Sequence, residues 1–223
     1  MENFVITIAR GYGSGGKEIG LKLAEQLGIE CYERRLVKLA SRLSGIEEDE
    51  FKEIDEKLRK KSFRSLLQKI PVGRDMDAVF HKFVSDDLLF EYQSRIILDL
   101  AKKESCIIVG KCADFVLKGH KNVVSVYIEA PRAFTRKRIM AKEQVSADVA
   151  DYLISTTDKY RADYYEYYTN GNYWTNPVNY DITLNSSTMG IDGCIEMIKR
   201  CMELKLGWKP NEKKHQKVQA DDS

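Results

Sequence analysis

Lys17 ends a glycine-rich run, Gly11-Tyr12-Gly13-Ser14-Gly15-Gly16-Lys17, that fits the spacing G-x-x-x-x-G-K. Each residue type has a physical reason to be there. Glycines let the backbone wind tightly enough for successive N–H groups to point inward at an anion. A helix starting near Lys17 aims the positive end of its dipole at the same point. The lysine adds a mobile cation able to reach the β- and γ-phosphates of a nucleotide. The spacing predicts a phosphate cradle for ATP built from Gly11, Gly13, Ser14, Gly15, Gly16, Lys17 and Glu18, where the plain alternative is a flexible glycine turn with an exposed lysine. The P-loop pattern asks for Ser or Thr after the lysine, to hold Mg2+ through the hydroxyl. Glu18 stands there instead. A carboxylate can bind Mg2+ directly or through water, repel a triphosphate, or point elsewhere; Glu18 is the one candidate metal ligand.

Phosphoryl transfer spreads negative charge over equatorial oxygens, so the chemistry also needs cationic donors delivered by a closing segment. Arg132, Arg136 and Arg138 follow an apolar run at spacings that put the first two on one helical face. A second charged group is Asp158-Lys159-Tyr160-Arg161-Ala162-Asp163. Arg136 and Arg161 are the catalytic candidates beside Lys17, set against ordinary surface ion pairs. Asp114 follows an apolar run and a glycine; it can orient an acceptor or a hydrated Mg2+, or cap a helix. Arg34 and Arg35 follow a short strand, where one of them can grip an acceptor phosphate. The tyrosines Tyr160, Tyr164, Tyr165, Tyr167, Tyr168 and Tyr173 can stack a base or simply pack.

These residues need a scaffold, and the periodicity supplies one. Phe4 to Ala9 is a near-continuous apolar run and reads as a buried central strand. Lys17 to Leu27 has helical spacing, with Gly28 as its C-cap. Glu30 to Tyr32 reads as a short strand, and Leu36, Leu39, Ala40 and Leu43 as a helix. Glu47 to Lys61 reads as a solvent-rich helix, acidic early and basic late, and Pro71 to Asp75 as a loop. A helix is expected over Phe83 to Lys102, then strands over Cys106 to Gly110 and Val123 to Ile128. Pro131 opens a helix, and Ser146 to Tyr168 forms another. Tyr180 to Leu184 reads as the last strand and Ile191 to Leu206 as the last helix, with a polar tail after them. Alternating strands and helices predict an α/β fold with a mostly parallel sheet covered on both faces. The stretch 132–168 is so polar that it is expected to be weakly anchored in the absence of ligand.

Bulk properties narrow the classes. The 223 residues suffice for one α/β domain with a mobile insertion, and a formal net charge of +2 provides no basic field for nucleic acid. No apolar stretch has the length to cross a membrane, and no basic start resembles a leader. Five cysteines without a CxxC pair, beside three histidines, read as free thiols in a reducing cytoplasm rather than a zinc site.

Ile8 to Ile19 resembles the glycine loop of the cytidylate kinase-like proteins, whose members often have Glu after the basic residue. Cys31-Tyr32-Glu33-Arg34-Arg35-Leu36 is similar to that family's tyrosine-acid-basic segment. Ile107 to Leu117 resembles its V-G-R-C-A-D-x-x-L segment, with Lys111 in the place of an arginine. The resemblance implies a P-loop three-layer fold like nucleoside monophosphate kinases. It implies one domain over 1–208, a helical NMP-binding insertion at about 34–95, a lid at about 132–170 and a tail over 209–223. Arg136 and Arg161 fall on the two sides of that lid. Arg34, Arg35, Lys111 and Asp114 fall toward the acceptor. The implied reaction is Mg2+-dependent phosphoryl transfer from ATP to a small acceptor, CMP or dCMP first. A kinase for another metabolite and a nucleotide-binding protein with little catalysis are the rivals. Lys111 is a point charge and lacks the bidentate fork of arginine.

Overall fold

The computed structural model describes residues 3–33, 36, 39 and 76–209. Arg34, Arg35, the rest of the expected 36–43 helix, the Glu47–Lys61 stretch, the Pro71–Asp75 loop and the tail beyond Lys209 lie outside them. Strand β1 (Val5–Arg10) leads through the glycine loop into helix α1 (Gly16–Leu27) and strand β2 (Glu30–Tyr32). Helix α2 (Met76–Lys103), strand β3 (Cys106–Val109), the short helix α3 (Ala113–Val116) and strand β4 (Val123–Glu129) follow. Helices α4 (Arg132–Glu143) and α5 (Ala147–Tyr168), strand β5 (Ile182–Asn185) and helix α6 (Ser186–Leu206) complete the described chain. The five strands form one all-parallel sheet in the order β2-β3-β1-β4-β5.

β1 is central because it is apolar on both sides: Val5, Ile6, Ile8 and Ala9 are all buried. Alternation along the strand splits the core. Ile6 and Ile8 join Ile19 and Leu23 of α1 and Ile195, Ile198 and Met202 of α6 on one face. Val5 joins Leu36, Leu89, Ile96 and Ile97 on the other. Burying each such isoleucine contributes about 1.5–3 kcal/mol. A third cluster, Ala9, Cys112, Tyr127, Tyr165, Trp174 and Tyr180, joins the sheet to α5.

The boundaries show local chemistry at work. Gly28 ends α1 in the left-handed conformation with φ 68°, its N–H donating to the carbonyls of Ala24 and Glu25. The Ser146 side chain caps α5 and Asn185 caps α6. Three expected limits move. The helix expected from Phe83 starts at Met76. The last strand starts at Ile182, after a 3-10 turn over Pro177–Asn179 that the Tyr180 N–H closes by donating to the Pro177 carbonyl at 3.2 Å. The last helix starts at Ser186, with a kink at Gly190 (φ 67°, ψ 178°) that hides its first turn from periodicity. Helices α4 and α5 also carry a small core of their own, Ile139, Ala150 and Ile154 against Tyr12, Val145 and Leu153. The stretch that composition marks as weakly anchored is therefore packed onto the glycine loop.

Candidate active site

The loop leaves β1 at the carboxyl edge of the sheet, where ligands of open α/β folds gather. The β1–β4 pairing continues one residue into it, the Gly11 N–H donating to the Ile128 carbonyl at 3.0 Å. Ser14 then folds it: its N–H and Oγ both donate to the Gly11 carbonyl, at 3.3 and 2.9 Å. The Ser14 side chain is fully buried, so it shapes the loop rather than facing a ligand. Its carbonyl accepts from the Ser186 hydroxyl at the start of α6, at 2.5 Å. Gly13 and Gly15 sit at φ 87° and 88°, conformations that only glycine adopts without strain. Gly11 is required for a different reason: a Cβ there would collide with the Glu129 carboxylate beneath the loop. Gly15, the N-cap of α1, has no side chain to cap it, and the Gly16 N–H donates to Ser14 Oγ at 3.4 Å, which leaves the N–H groups of Lys17 and Glu18 to face an anion at the helix start.

Charged side chains surround this cradle. Lys17 Nζ lies 2.5 Å from Glu33 Oε2, and Arg10 Nη2 lies 3.6 Å from Glu33 Oε1. The same arginine lies against Gly110, where a Cβ would run into its guanidinium. Glu18, in the first turn of α1, accepts from Arg138 at 2.9 Å and lies 3.6 Å from Lys22. Thr135 and Ile139 of α4 press on Gly13, which sets the face that meets the loop and brings Arg138 beside Gly15. Arg136 falls off that face and pairs with Asp151 at 3.0 Å. Arg161 donates to the Arg10 carbonyl at 2.8 Å, lies 3.2 Å from Asp158, and stands over the Tyr12 ring at 5.6 Å. Asp158 accepts from the Tyr12 N–H at 2.7 Å. Burial pushes its pKa up, against the lowering effect of Arg161.

The acceptor candidates separate. Lys111 lies in the turn after β3, where Gly110, Lys111 and Cys112 have φ of 78°, 61° and 53° in succession. Two consecutive side-chain-bearing residues in the left-handed region are strained, a condition that clusters at ligand sites. Asp114 is not the N-cap of α3, a position that Cys112 takes. It is drawn into the aromatic cluster, where it accepts from the Tyr165 hydroxyl at 2.7 Å. Burial raises its pKa to about 6, with the Tyr165 hydrogen bond opposing. Of the tyrosines, Tyr165 is buried in packing, while Tyr167 and Tyr173 are exposed. All five cysteines are free thiols, and burial raises Cys31 to about 11 and Cys106 to about 12. Arg10, Glu33, Glu129, Arg138, Asp158 and Ser186 complete the site beyond the residues chosen from sequence.

A 2-3-1-4-5 parallel sheet with a glycine loop entering α1 defines a P-loop kinase-like fold. Residues 5–188 match the family described as cytidylate kinase-like, and the chain belongs to that family. It is a kinase-like phosphotransferase, of a class that generally uses ATP and Mg2+. Among solved structures, an uncharacterized protein from Eubacterium ventriosum is 24% identical over 90% of this chain and 99% of its own, with a TM-score of 0.64. A shikimate kinase from Bacteroides thetaiotaomicron is 12% identical over 90% of this chain and 98% of its own, with a TM-score of 0.50. A sugar kinase from Janibacter is 15% identical over 93% and 96%, also at 0.50. These likenesses establish the fold. No curated protein matches the chain. Among the described residues, no helix is long and apolar enough to cross a membrane.

Proposed function

We propose that this chain transfers the γ-phosphoryl group of ATP to a nucleoside monophosphate, CMP or dCMP first, in the cytoplasm. The observation that carries this reading is the start of α1 at the glycine loop, where the N-cap is a glycine with no capping side chain, with Lys17, Arg138 and Arg161 on its flanks. In this reading the amides of Gly13 to Lys17 hold phosphate and Lys17 leaves Glu33 for the β- and γ-oxygens. Residues 34–95 serve as the acceptor-binding insertion, with Arg34 and Arg35, and 132–170 as the lid. Arg161 holds the loop backbone while bordering the phosphates, and Arg138 is the lid cation nearest to them. Arg136 needs a change of partner from Asp151 to take part.

Among the described residues, no group of three His, Cys, Asp or Glu forms a metal cage. Mg2+ carried in on ATP needs only one or two carboxylates beside phosphates and waters. Glu18 supplies one such carboxylate and would hold the ion on exchanging its present partner Arg138, at 2.9 Å, for it; the ion when bound neutralises charge on the phosphate oxygens. A kinase for another small phosphorylated metabolite is the second reading; Lys111 favours it, because an ammonium cannot form the planar fork of the arginine it replaces.

An ATP-to-ADP assay over a panel of nucleoside monophosphates and small metabolites tests both. Turnover with CMP or dCMP above all others supports the first reading, and turnover with a metabolite alone replaces it by the second. No ATP binding by calorimetry refutes both.

A further inference from the structure

The two arms of the glycine loop are held by different parts of the fold. The first arm, residues 10–13, is held largely by α4 and α5. Arg161 donates to the Arg10 carbonyl at 2.8 Å, Asp158 accepts from the Tyr12 N–H at 2.7 Å, and Thr135 and Ile139 press on Gly13. The second arm is held by α6: the Ser14 carbonyl accepts from Ser186, and a Cβ on Gly15 would meet Ile191 first. A phosphate that settles into the loop must fit both arms at once.

Tyr12 is what joins the first arm to the two helices. Its half-buried side chain packs with Ile139, Ala150 and Ile154, the small core that α4 and α5 share. Thr135 and Ile139 are the buried residues of α4, so a loop tyrosine is a large part of what these helices pack on. The Arg161 guanidinium stands over its ring, 5.6 Å from the centroid, a contact that strengthens as water is excluded. The hydroxyl reaches Glu143 at 3.4 Å on the exposed side, so the ring carries the attachment. The cradle itself does not ask for an aromatic residue here, because its amides come from Gly13 to Lys17. The helices do.

We infer that Tyr12 is a positioning residue that couples the glycine loop to α4 and α5, so that phosphate in the loop orders the helices carrying Arg138 and Arg161 before an acceptor arrives. The inference rests on the phosphotransferase reading above and concerns how its cations are brought into place. Segments that share a core and a charged contact order together, and a ligand that fixes one biases the other. Tyr12 acts through Arg161 and the loop backbone and need not touch a substrate.

Hydrogen exchange over 132–168, read as the ratio without and with saturating ATP or tripolyphosphate, tests this in wild type, Tyr12→Ala and Tyr12→Phe, with calorimetry to establish saturation. Wild type should show exchange slowed about tenfold by either ligand alone, and Tyr12→Ala less than twofold. Tyr12→Phe keeps the ring and should keep the wild-type ratio. ATP affinity of Tyr12→Ala should stay within about threefold. The ratio corrects for a variant that is merely less stable, so a lower melting temperature with an unchanged ratio overturns the inference in favour of a packing role. Loss of ATP binding in Tyr12→Ala overturns it too, by making Tyr12 part of the cradle. Should Tyr12→Ala not fold, Tyr12→Leu fills the core without offering Arg161 a ring, and its ratio should fall at least by half; a full ratio overturns the coupling. Wild type that binds ATP with no change over 132–168 overturns the inference and leaves the transfer reading standing. Wild type that responds to ATP yet phosphorylates nothing overturns the transfer reading alone.

Discussion

Replacing Glu33 by glutamine should tighten ATP binding. The Glu33 carboxylate sits 2.5 Å from Lys17 Nζ and 3.6 Å from Arg10, so it occupies the cation that a nucleotide needs. At about 4 Å and an effective dielectric of about 20, a unit pair interacts by about 4 kcal/mol. That figure must be discounted, because the Lys17 side chain is 50% exposed and Glu33 25%. Pairs of this kind contribute about 0.2–1 kcal/mol in double-mutant cycles. A phosphate that takes Lys17 must break this contact and stand near a like charge. Removing the charge of Glu33 should therefore strengthen ATP and tripolyphosphate binding about two- to fivefold. Calorimetry at low and high salt reads the effect, which should shrink as salt rises. In a Lys17→Ala background the same substitution should be close to neutral. Weaker binding by Glu33→Gln would refute the reasoning, because Glu33 would then be positioning Lys17 rather than competing for it.

Lys17→Ala should lower kcat/KM for ATP at least about 100-fold, measured by coupled ADP release on a folded variant. Arg136→Ala should reduce kcat more than ATP affinity, because Arg136 meets phosphate only after leaving Asp151, whereas Arg161→Ala should lower both, because Arg161 already holds the loop through the Arg10 carbonyl; steady-state kinetics beside calorimetry separates the two. Hydrogen exchange over 132–168 should fall when a bisubstrate analogue binds, and equal exchange in both states would rule out closure of this segment on the substrates. Asp114 gives a pH signature. Its folded pKa of about 6 stands above the ordinary 3.8, so its stabilising contribution is complete below about pH 4 and is lost as pH rises through 6. The loss is about 3 kcal/mol. Asp114→Asn should flatten that part of the stability profile, and parallel profiles for the two proteins would rule the reasoning out.

The β1–loop–α1 unit is legible because its determinants are local. An apolar run, glycines at fixed spacing and a terminal Gly28 lie within 28 residues. The strands at Cys106 and Val123 are legible from their β-branched runs. The acids and hydroxyls that complete the loop come from far along the chain. Glu129, Asp158 and Ser186 reach it by folding alone, and no local spacing announces them. The terminal acid of an otherwise buried strand was a usable hint for Glu129. Arg138 illustrates a different miss. Arg132 and Arg136 share a face, which favours Arg136 on spacing. The inward face of α4 is set instead by Thr135 and Ile139, and Arg138 lies one turn from Thr135. Ile139, a buried apolar residue in a polar helix, was the signal for that face.

β1 precedes both of its partners in the chain and is the innermost strand of the finished sheet. Its partners begin at Cys106 and Val123, so both of its edges stay open while most of the first half of the chain is made. The Ser14 carbonyl waits longer still, 172 residues for the Ser186 hydroxyl that secures it. Contacts of such separation form late, after the entropy of closing a long loop has been overcome. During synthesis the sticky apolar edge of Val5 to Ala9 is thus exposed before anything can cover it, a state that invites aggregation or chaperone capture. The glycine loop, encoded early, is among the last parts of the fold to become rigid.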